Sequence, residues 1–525
     1  MGIDLRHNFL KKLYHTFFFS ESEHRSYEYF KTRKKRLENS KLILVQSVED
    51  LAYYSLFGSI VNTLNAKENI YVEQYIQRNL TLGATSDIGS FLKSIFLNNR
   101  LRDNKWIRLY ASFSDGLAYR HEGSSSLLFD IKAFIKAYKI YSNIESKEEL
   151  LTLVVEEIKV GDLIYDSYLR FKSAPTVDVN DFYLCIVLWQ TMRNIEMTNK
   201  YFDQKKPSIL LTSYSTYIQH GIAVRIAVKK GTKVYSFGNY QSFSKELKLE
   251  DVYHTANYSK YKEQFLKLEE QEQCLGLSRD ALESRLNGGI DTATAYMKKS
   301  AYVVSEIDVP NVKGSIIVFL HDFFDSPHIY GNMVFPDFLE WIEFTIKVFE
   351  KNNISYFLKP HPNQIGDSQK VIDGLKLKYP NARFLSTKIT NKQLVNAGMC
   401  VGISVYGTVA HELVYMGIPV IMVAQNPHSS YGFCFEAEDK EQYEKLIRRY
   451  KTLKLIKNVK SEVESFYYMH NVKPQEMQLL INSVLELYTF DFSKYQDIEL
   501  DTLLKKIQNN KAFKDFIQTL VQIKG

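Results

Sequence analysis

Between residues 315 and 423 the chain alternates short uninterrupted apolar runs with amphipathic stretches, a pattern that little but a parallel sheet covered on both faces can satisfy. The runs 315–320, 355–358, 382–385, 400–403 and 419–423 read as strands, and 333–351, 366–378 and 408–416 read as the helices between them. A weaker version of the same rhythm occupies the first half. There 42–46 reads as a strand followed by a capped helix to about residue 64, and 208–212 as a strand, followed by a helix from about 220 to 229 and a strand at 233–237. Most of 65–205 reads as helical, with 106–110 as a candidate strand. The fold class expected is α/β: two Rossmann-like domains facing across a cleft, with extra N- and C-terminal helices. The expected divisions are 1–304, 305–440 and a helical segment 441–525 packing on both domains.

Composition narrows the functional classes. A chain of 525 residues has room for two large domains, and 24% charged with 45% hydrophobic residues excludes wholesale disorder. Only 23 glycines and 11 prolines exclude collagen-like and linker-rich architectures. The net charge of +7 accommodates an anionic ligand or an acidic membrane surface but is too small and unstriped for a nucleic-acid footprint. Four scattered cysteines with no C-x-x-C pair point to unpaired thiols in a reducing compartment. No apolar run approaches the roughly 18 residues needed to cross a bilayer, and the phenylalanines at 17–19 are too few for a signal-peptide core, so the expected location is the cytoplasm. The basic, aromatic segment at 31–36 reads either as a solvated helix face or as a peripheral contact with the inner face of the cytoplasmic membrane.

In an open parallel sheet ligands bind beyond the carboxyl ends of the strands, which singles out four loops. The first is Lys359-Pro360-His361-Pro362, in which a cation and an imidazole held between two prolines can meet phosphate oxygens. The second runs from Ser404 through Gly407 and Thr408 to Glu412. Two hydroxyls and a glycine turn at a helix start can cradle a phosphate, and a carboxylate one turn later can accept two hydrogen bonds from a ribose diol. The third holds His321, Asp322, Asp325 and His328, read as donor or acceptor contacts or as structural loop residues; no metal is expected, since no helical ligand spacing supports one. The fourth, in the first half, leads to His220, with Arg225 a turn further on. His220, Asp115 and Asp50, in that order, are the candidate catalytic bases, and Arg170 and Arg225 are further candidate contacts.

The order K-P-H-P, then about forty residues later S-x-x-G-T-x-x-x-E-x-x-x-x-G-x-P-V-I, resembles the capsule polysaccharide biosynthesis glycosyltransferases of the Kdo-transferase and bacterial polysialyltransferase type. The resemblance implies a GT-B fold, no cofactor beyond a nucleotide-sugar co-substrate with CMP-linked donors favoured, and a lipid-linked or oligosaccharide acceptor. It further implies that Lys359 and His361 meet the donor phosphate, Ser404, Gly407 and Thr408 form its cradle, and Glu412 holds the ribose. The stretches 161–170 and 321–328 look like segments of surface-polysaccharide glycosyltransferases. One departure is His411, where such enzymes commonly carry an apolar or aromatic residue. Two other readings stay open: a polyol-phosphate transferase of the teichoic-acid type using a CDP-polyol, and a non-catalytic scaffold of a glycan-assembly complex.

Overall fold

The computed structural model describes residues 18–34, 41–76, 99–120, 127–239, 241–289, 307–361, 366–473 and 498–523. In chain order the elements used below are α1 (Glu21–Lys31), β1 (Lys41–Gln46), α2 (Leu51–Asn65), β2 (Ile70–Ile76), α3 (Asn99–Tyr110), β3 (Gly116–Arg120), α4 (Leu127–Tyr141), the hairpin β4 (Val154–Val155) and β5 (Ile158–Lys159), α5 (Gly161–Lys172) and α6 (Phe182–Lys205). They continue with β6 (Ile209–Thr212), α7 (Tyr217–Lys229), β7 (Lys233–Ser236), β8 (Lys245–Leu247), α8 (Gln271–Leu286), β9 (Ile316–Phe319), α9 (Phe338–Lys351), β10 (Tyr356–Lys359) and α10 (Gly366–Lys378). The last are β11 (Val401–Ser404), α11 (Val409–Tyr415), β12 (Val420–Met422), β13 (Phe435–Glu436), α12 (Val459–Tyr467), α13 (Ile498–Asn509) and α14 (Lys511–Gln522).

Two compact units result, each with its own sheet and core: residues 1–172, 178–254 and 476–525 form one, and 173–177 with 255–475 form the other. The first unit's sheet runs β3-β2-β1-β6-β7-β8, parallel except for β8, which pairs antiparallel with β7. This is the Rossmann order, with its direction of winding reversing between β1 and β6. The second unit's sheet runs β10-β9-β11-β12-β13, all parallel, and reverses between β9 and β11. Its central strands are unbroken apolar runs because both faces are covered: Ile316, Ile317 and Val318 on β9 are fully buried. The α/β, GT-B-like class expected from the sequence is therefore what the chain adopts, as a pair of Rossmann-like units.

The high aromatic content has a use in the first core. Phe30 on α1 meets Tyr54 and Phe113 edge-on at 5.4 and 5.7 Å between ring centroids. Residues 513–520 of α14 return to the same core, where Phe516 packs against Tyr235, Phe237 and Phe243. Gly58 lies under the Phe30 ring, and a Cβ there would stand 2.6 Å from Cζ. Because its edge-on neighbours hold Phe30 in place, Gly58→Ala is expected to destabilise by about 1–3 kcal/mol, read as a lowered urea midpoint. An unchanged midpoint would show that the ring can yield.

Four expectations change. Residues 106–110 are the end of helix α3, not a strand, because Trp106, Leu109, Tyr110 and Phe113 bury at helical spacing. The stretch 65–205 contains strands β2 and β3, disguised by buried polar residues: Glu73 accepts from Tyr201 Oη at 2.6 Å, and Gln74 bonds Ser47 Oγ at 2.7 Å and the Ile107 carbonyl at 3.0 Å. Residues 382–385 form only an isolated bridge, Phe384 to Leu358. The units divide at 254/255 instead of near 305, since Cys274, Leu275, Leu282 and Leu286 of α8 bury in the second core.

Candidate functional site

Strand register sets the second unit's candidate site. Lys359 at the end of β10 pairs with Phe319 at the end of β9, and Val318 pairs with Ile403, so the loops bearing Lys359, His321 and Ser404 leave the sheet side by side at the winding reversal. Lys359 is 5% exposed, its Nζ 5.9 Å from the Phe319 ring centre. Burial pushes its pKa down to about 8, with the charge of Glu412 acting the other way. Among the described residues no acceptor bonds this ammonium, so it is a desolvated cation with unused donor capacity.

His361 is pushed below the usual imidazole range by burial and by the Lys359 charge, while Asp322 opposes the shift. His321 is lowered to about 3, chiefly by burial, with His361 contributing. His321 stacks on Phe338 at 5.0 Å and lies 4.6 Å from the Tyr406 ring. Its Nε2 accepts from the Tyr406 N–H at 3.4 Å and contacts Ser404 Oγ at 3.3 Å. The imidazole is thus a neutral prop for the turn after β11. Ser404 is likewise engaged within the protein, donating to the Tyr406 carbonyl at 3.2 Å. Gly407 turns the chain at φ +114°, a conformation open to glycine and closed to most side chains, and its backbone is exposed.

Glu412 is 2% exposed and ion-paired: Arg285 Nε donates to its Oε1 at 2.7 Å, while Arg285 Nη2 lies 3.4 Å from Thr408 Oγ1. Sequence reasoning missed Arg285, which comes from α8, outside the β-α alternation. The helix after Thr408 has only seven residues, so its dipole adds little. His411 turns away into an aromatic cluster, 5.2 Å from Phe466 and 5.7 Å from Tyr467 on α12. Asp322 Oδ1 accepts from the Phe324 N–H and Ser368 Oγ, each at 3.0 Å. Asp325 is exposed and His328 is buried. Pro362 lies outside the described residues.

In the first unit the candidates separate. Gln46, at the end of β1, has an oxygen that accepts from Thr212 Oγ1 (2.7 Å), Ser213 N–H (3.0 Å) and Ser213 Oγ (3.0 Å). Three donors fix which end of the amide is oxygen, so Nε2 donates to His220 Nδ1 at 2.6 Å. Neutral His220 then carries its proton on Nε2, and burial lowers its pKa to about 4; it presents a hydrogen-bond donor instead of the base expected. Asp115 precedes β3, at the amino end of the sheet, where it accepts from the Val72 N–H at 2.9 Å and pairs with Lys34 at 3.4 Å; that removes it from the ligand end. Arg225 is engaged within the protein. It grips Asp162 bidentately at 2.7 and 2.6 Å in the interior, and the carboxylate outweighs the cost of burial and raises the guanidinium pKa. Arg170 is exposed in the last turn of α5. Asp50 does stand at the carboxyl end, bonding the Tyr53 N–H at 3.1 Å, and its charge helps raise the Tyr214 pKa, after burial.

Among the described residues no group of three or more His, Cys, Asp or Glu side chains is placed to hold a metal ion. No protein-family model and no curated protein matches the chain. Among solved structures it is similar to the UDP-GlcNAc 2-epimerase from Neisseria meningitidis bound to UDP-GlcNAc, at 10% identity, 85% coverage of this chain and 99% of that one, and a TM-score of 0.24. The Methanocaldococcus jannaschii UDP-GlcNAc 2-epimerase in complex with UDP-GlcNAc and UDP gives 10% identity, 81% and 97% coverage and a TM-score of 0.23. Phytolacca americana UGT2, complexed with UDP-2fluoro-glucose and pterostilbene, gives 7% identity, 92% and 99% coverage and a TM-score of 0.20. At such values the likenesses add nothing to what the strand orders already show.

Proposed function

We propose that the chain is a glycosyltransferase that takes a sugar from a nucleotide-activated donor and adds it to a lipid-linked or oligosaccharide acceptor of a surface glycan. The observation that carries this reading is Lys359: a buried ammonium with unused donors, at the carboxyl ends of a parallel sheet where its winding reverses, suits the phosphate of a nucleotide. Lys359 and His361 would stabilise negative charge on the departing phosphate, and the exposed backbone turn at Gly407 allows close approach. In the first unit Asp50 is the base best placed to deprotonate an acceptor hydroxyl, with His220 orienting the acceptor through its Nε2–H. A CMP-linked donor such as CMP-Kdo and a capsular or lipopolysaccharide-type product rest on the K-P-H-P resemblance alone.

Thermal-shift titration with CMP, CDP, UDP, GDP and dTDP tests the reading. A nucleotide held at this site should add about 2.7 kcal/mol at 100 times its dissociation constant. Stabilisation by CMP alone favours an ulosonic-acid donor, and no stabilisation by any of the five sinks the donor-site assignment. A phosphodiester in the product would replace sugar transfer with polyol-phosphate transfer.

A further inference from the structure

Helix α4 presents an apolar stripe to solvent. Leu128, Ile131, Ile135 and Tyr138 recur at helical spacing and are 70%, 45%, 61% and 51% exposed, with Phe134 beside them. The helix is not turned inside out, because its opposite face is firmly seated on α6. Ala133 and Ala137 are fully buried, Trp189 Nε1 donates to the Asp130 carbonyl at 3.1 Å, and Arg193 pairs with Asp130 at 3.2 Å. Beyond the helix end the apolar surface continues through Tyr141 to Phe182, which is 53% exposed and meets Tyr141 edge-on at 6.3 Å. An outward row of aliphatic and aromatic side chains on a fixed backbone calls for an apolar partner.

The charges along the stripe say which kind. Lys132, Lys136 and Lys139 are exposed and follow one flank of it. Only Lys136 has a carboxylate nearby among the described residues, Glu196 at 3.7 Å, and the helix's one acidic residue, Asp130, is already held by Arg193. A helix lying flat with apolar tips outward and lysines alongside matches an acidic lipid surface, where the tips enter the acyl boundary and the ammonium groups meet anionic headgroups. The other basic segment is less available. In its described part Arg33 stacks on Tyr29 at 3.7 Å, Lys34 pairs with Asp115 and Lys31 pairs with Glu28; Lys35 and Arg36 lie outside the described residues. We infer that α4 docks the protein on the surface of an acidic membrane. The inference is independent of the donor-site reading.

Co-sedimentation of the full chain with vesicles of phosphatidylglycerol and phosphatidylcholine, against vesicles of phosphatidylcholine alone, tests it. Binding is expected to the acidic vesicles only and to weaken as salt is raised. Ile135→Asp, and separately Tyr138→Ser, should lower it at least about tenfold. Replacing Lys132, Lys136 and Lys139 together by Gln should lower it about a hundredfold, at about fivefold per lysine. The inference is overturned by absent binding, by equal binding to phosphatidylcholine, or by acidic-vesicle binding that survives Ile135→Asp but is lost in Lys31→Gln/Arg33→Gln. It is also overturned if the protein self-associates without lipid and Ile135→Asp abolishes this, which would make the stripe a contact between copies.

Discussion

Lys359→Met is expected to stabilise the ligand-free protein while abolishing its response to nucleotide. The ammonium is buried with no carboxylate bonded to it among the described residues, and its pKa falls from 10.5 to about 8. Below pH 8 the lysine is charged in both folded and unfolded chains, so folding meets the full cost of desolvating it, on the order of 3 kcal/mol. Between pH 8 and 10.5 the folded protein sheds the proton first, the unfolded chain binds more protons, and stability rises with pH; above 10.5 the cost is gone. Methionine removes the charge and keeps most of the volume. Its urea midpoint should therefore exceed the wild type's at pH 7 by an amount worth about 1–3 kcal/mol and converge with it near pH 11. The stabilisation by nucleotide should vanish in the same variant, with transfer slowed about a hundredfold or more. In the wild type, nucleotide affinity should fall about tenfold per pH unit above 8, as the free site loses its proton. A lowered midpoint in Lys359→Met with nucleotide binding intact would assign the lysine a purely structural role.

How far the sequence reached is clearest residue by residue. The second unit's strands were legible because Ile316–Phe319 and Val420–Met422 are apolar on both faces, and once the strands are placed, the loops at their carboxyl ends follow. Lys359 lies near enough to both His361 and Glu412 for their charges to interact. Where the interior is polar, the pattern fails. β2 carries Glu73 and Gln74 inward because Tyr201, Ser47 and Ser114 satisfy them, and no period-two alternation can show a partner 128 residues away. The same limit hid the true state of His220, which is set by an amide 174 residues distant whose oxygen is fixed by three other donors. Charges on helices outside the alternation give no signal of their destination. Arg285 looks like a solvated helix residue until α8 is seen to lie in the second core.

Arg285 leads to the largest stability effect expected for a single substitution. Its side chain is 6% exposed and that of Glu412 is 2% exposed, and they meet at 2.7 Å. Removing one member of such a pair leaves a buried charge without its counter-ion, so Arg285→Met should destabilise by about 3–5 kcal/mol at pH 7. Arg285→Met combined with Glu412→Leu should recover most of that loss, because two apolar side chains replace a pair whose attraction little more than offset its desolvation. Arg285→Lys should fall between: a single ammonium can meet Glu412 Oε1 but does not reproduce the guanidinium's reach towards Thr408 as well. Urea denaturation of these variants together with Glu412→Leu alone closes the cycle and measures the coupling, and additive losses would show that the pair is not energetically linked. Nucleotide titration of the stable members then separates the two tasks of Glu412. If the carboxylate also holds the donor ribose, the Arg285→Met/Glu412→Leu protein should be folded yet bind nucleotide at least about tenfold more weakly, whereas Arg285→Lys should keep near-native affinity. Native affinity in the double variant would leave Glu412 as a counter-ion alone and move ribose recognition elsewhere in the β11 to α11 turn.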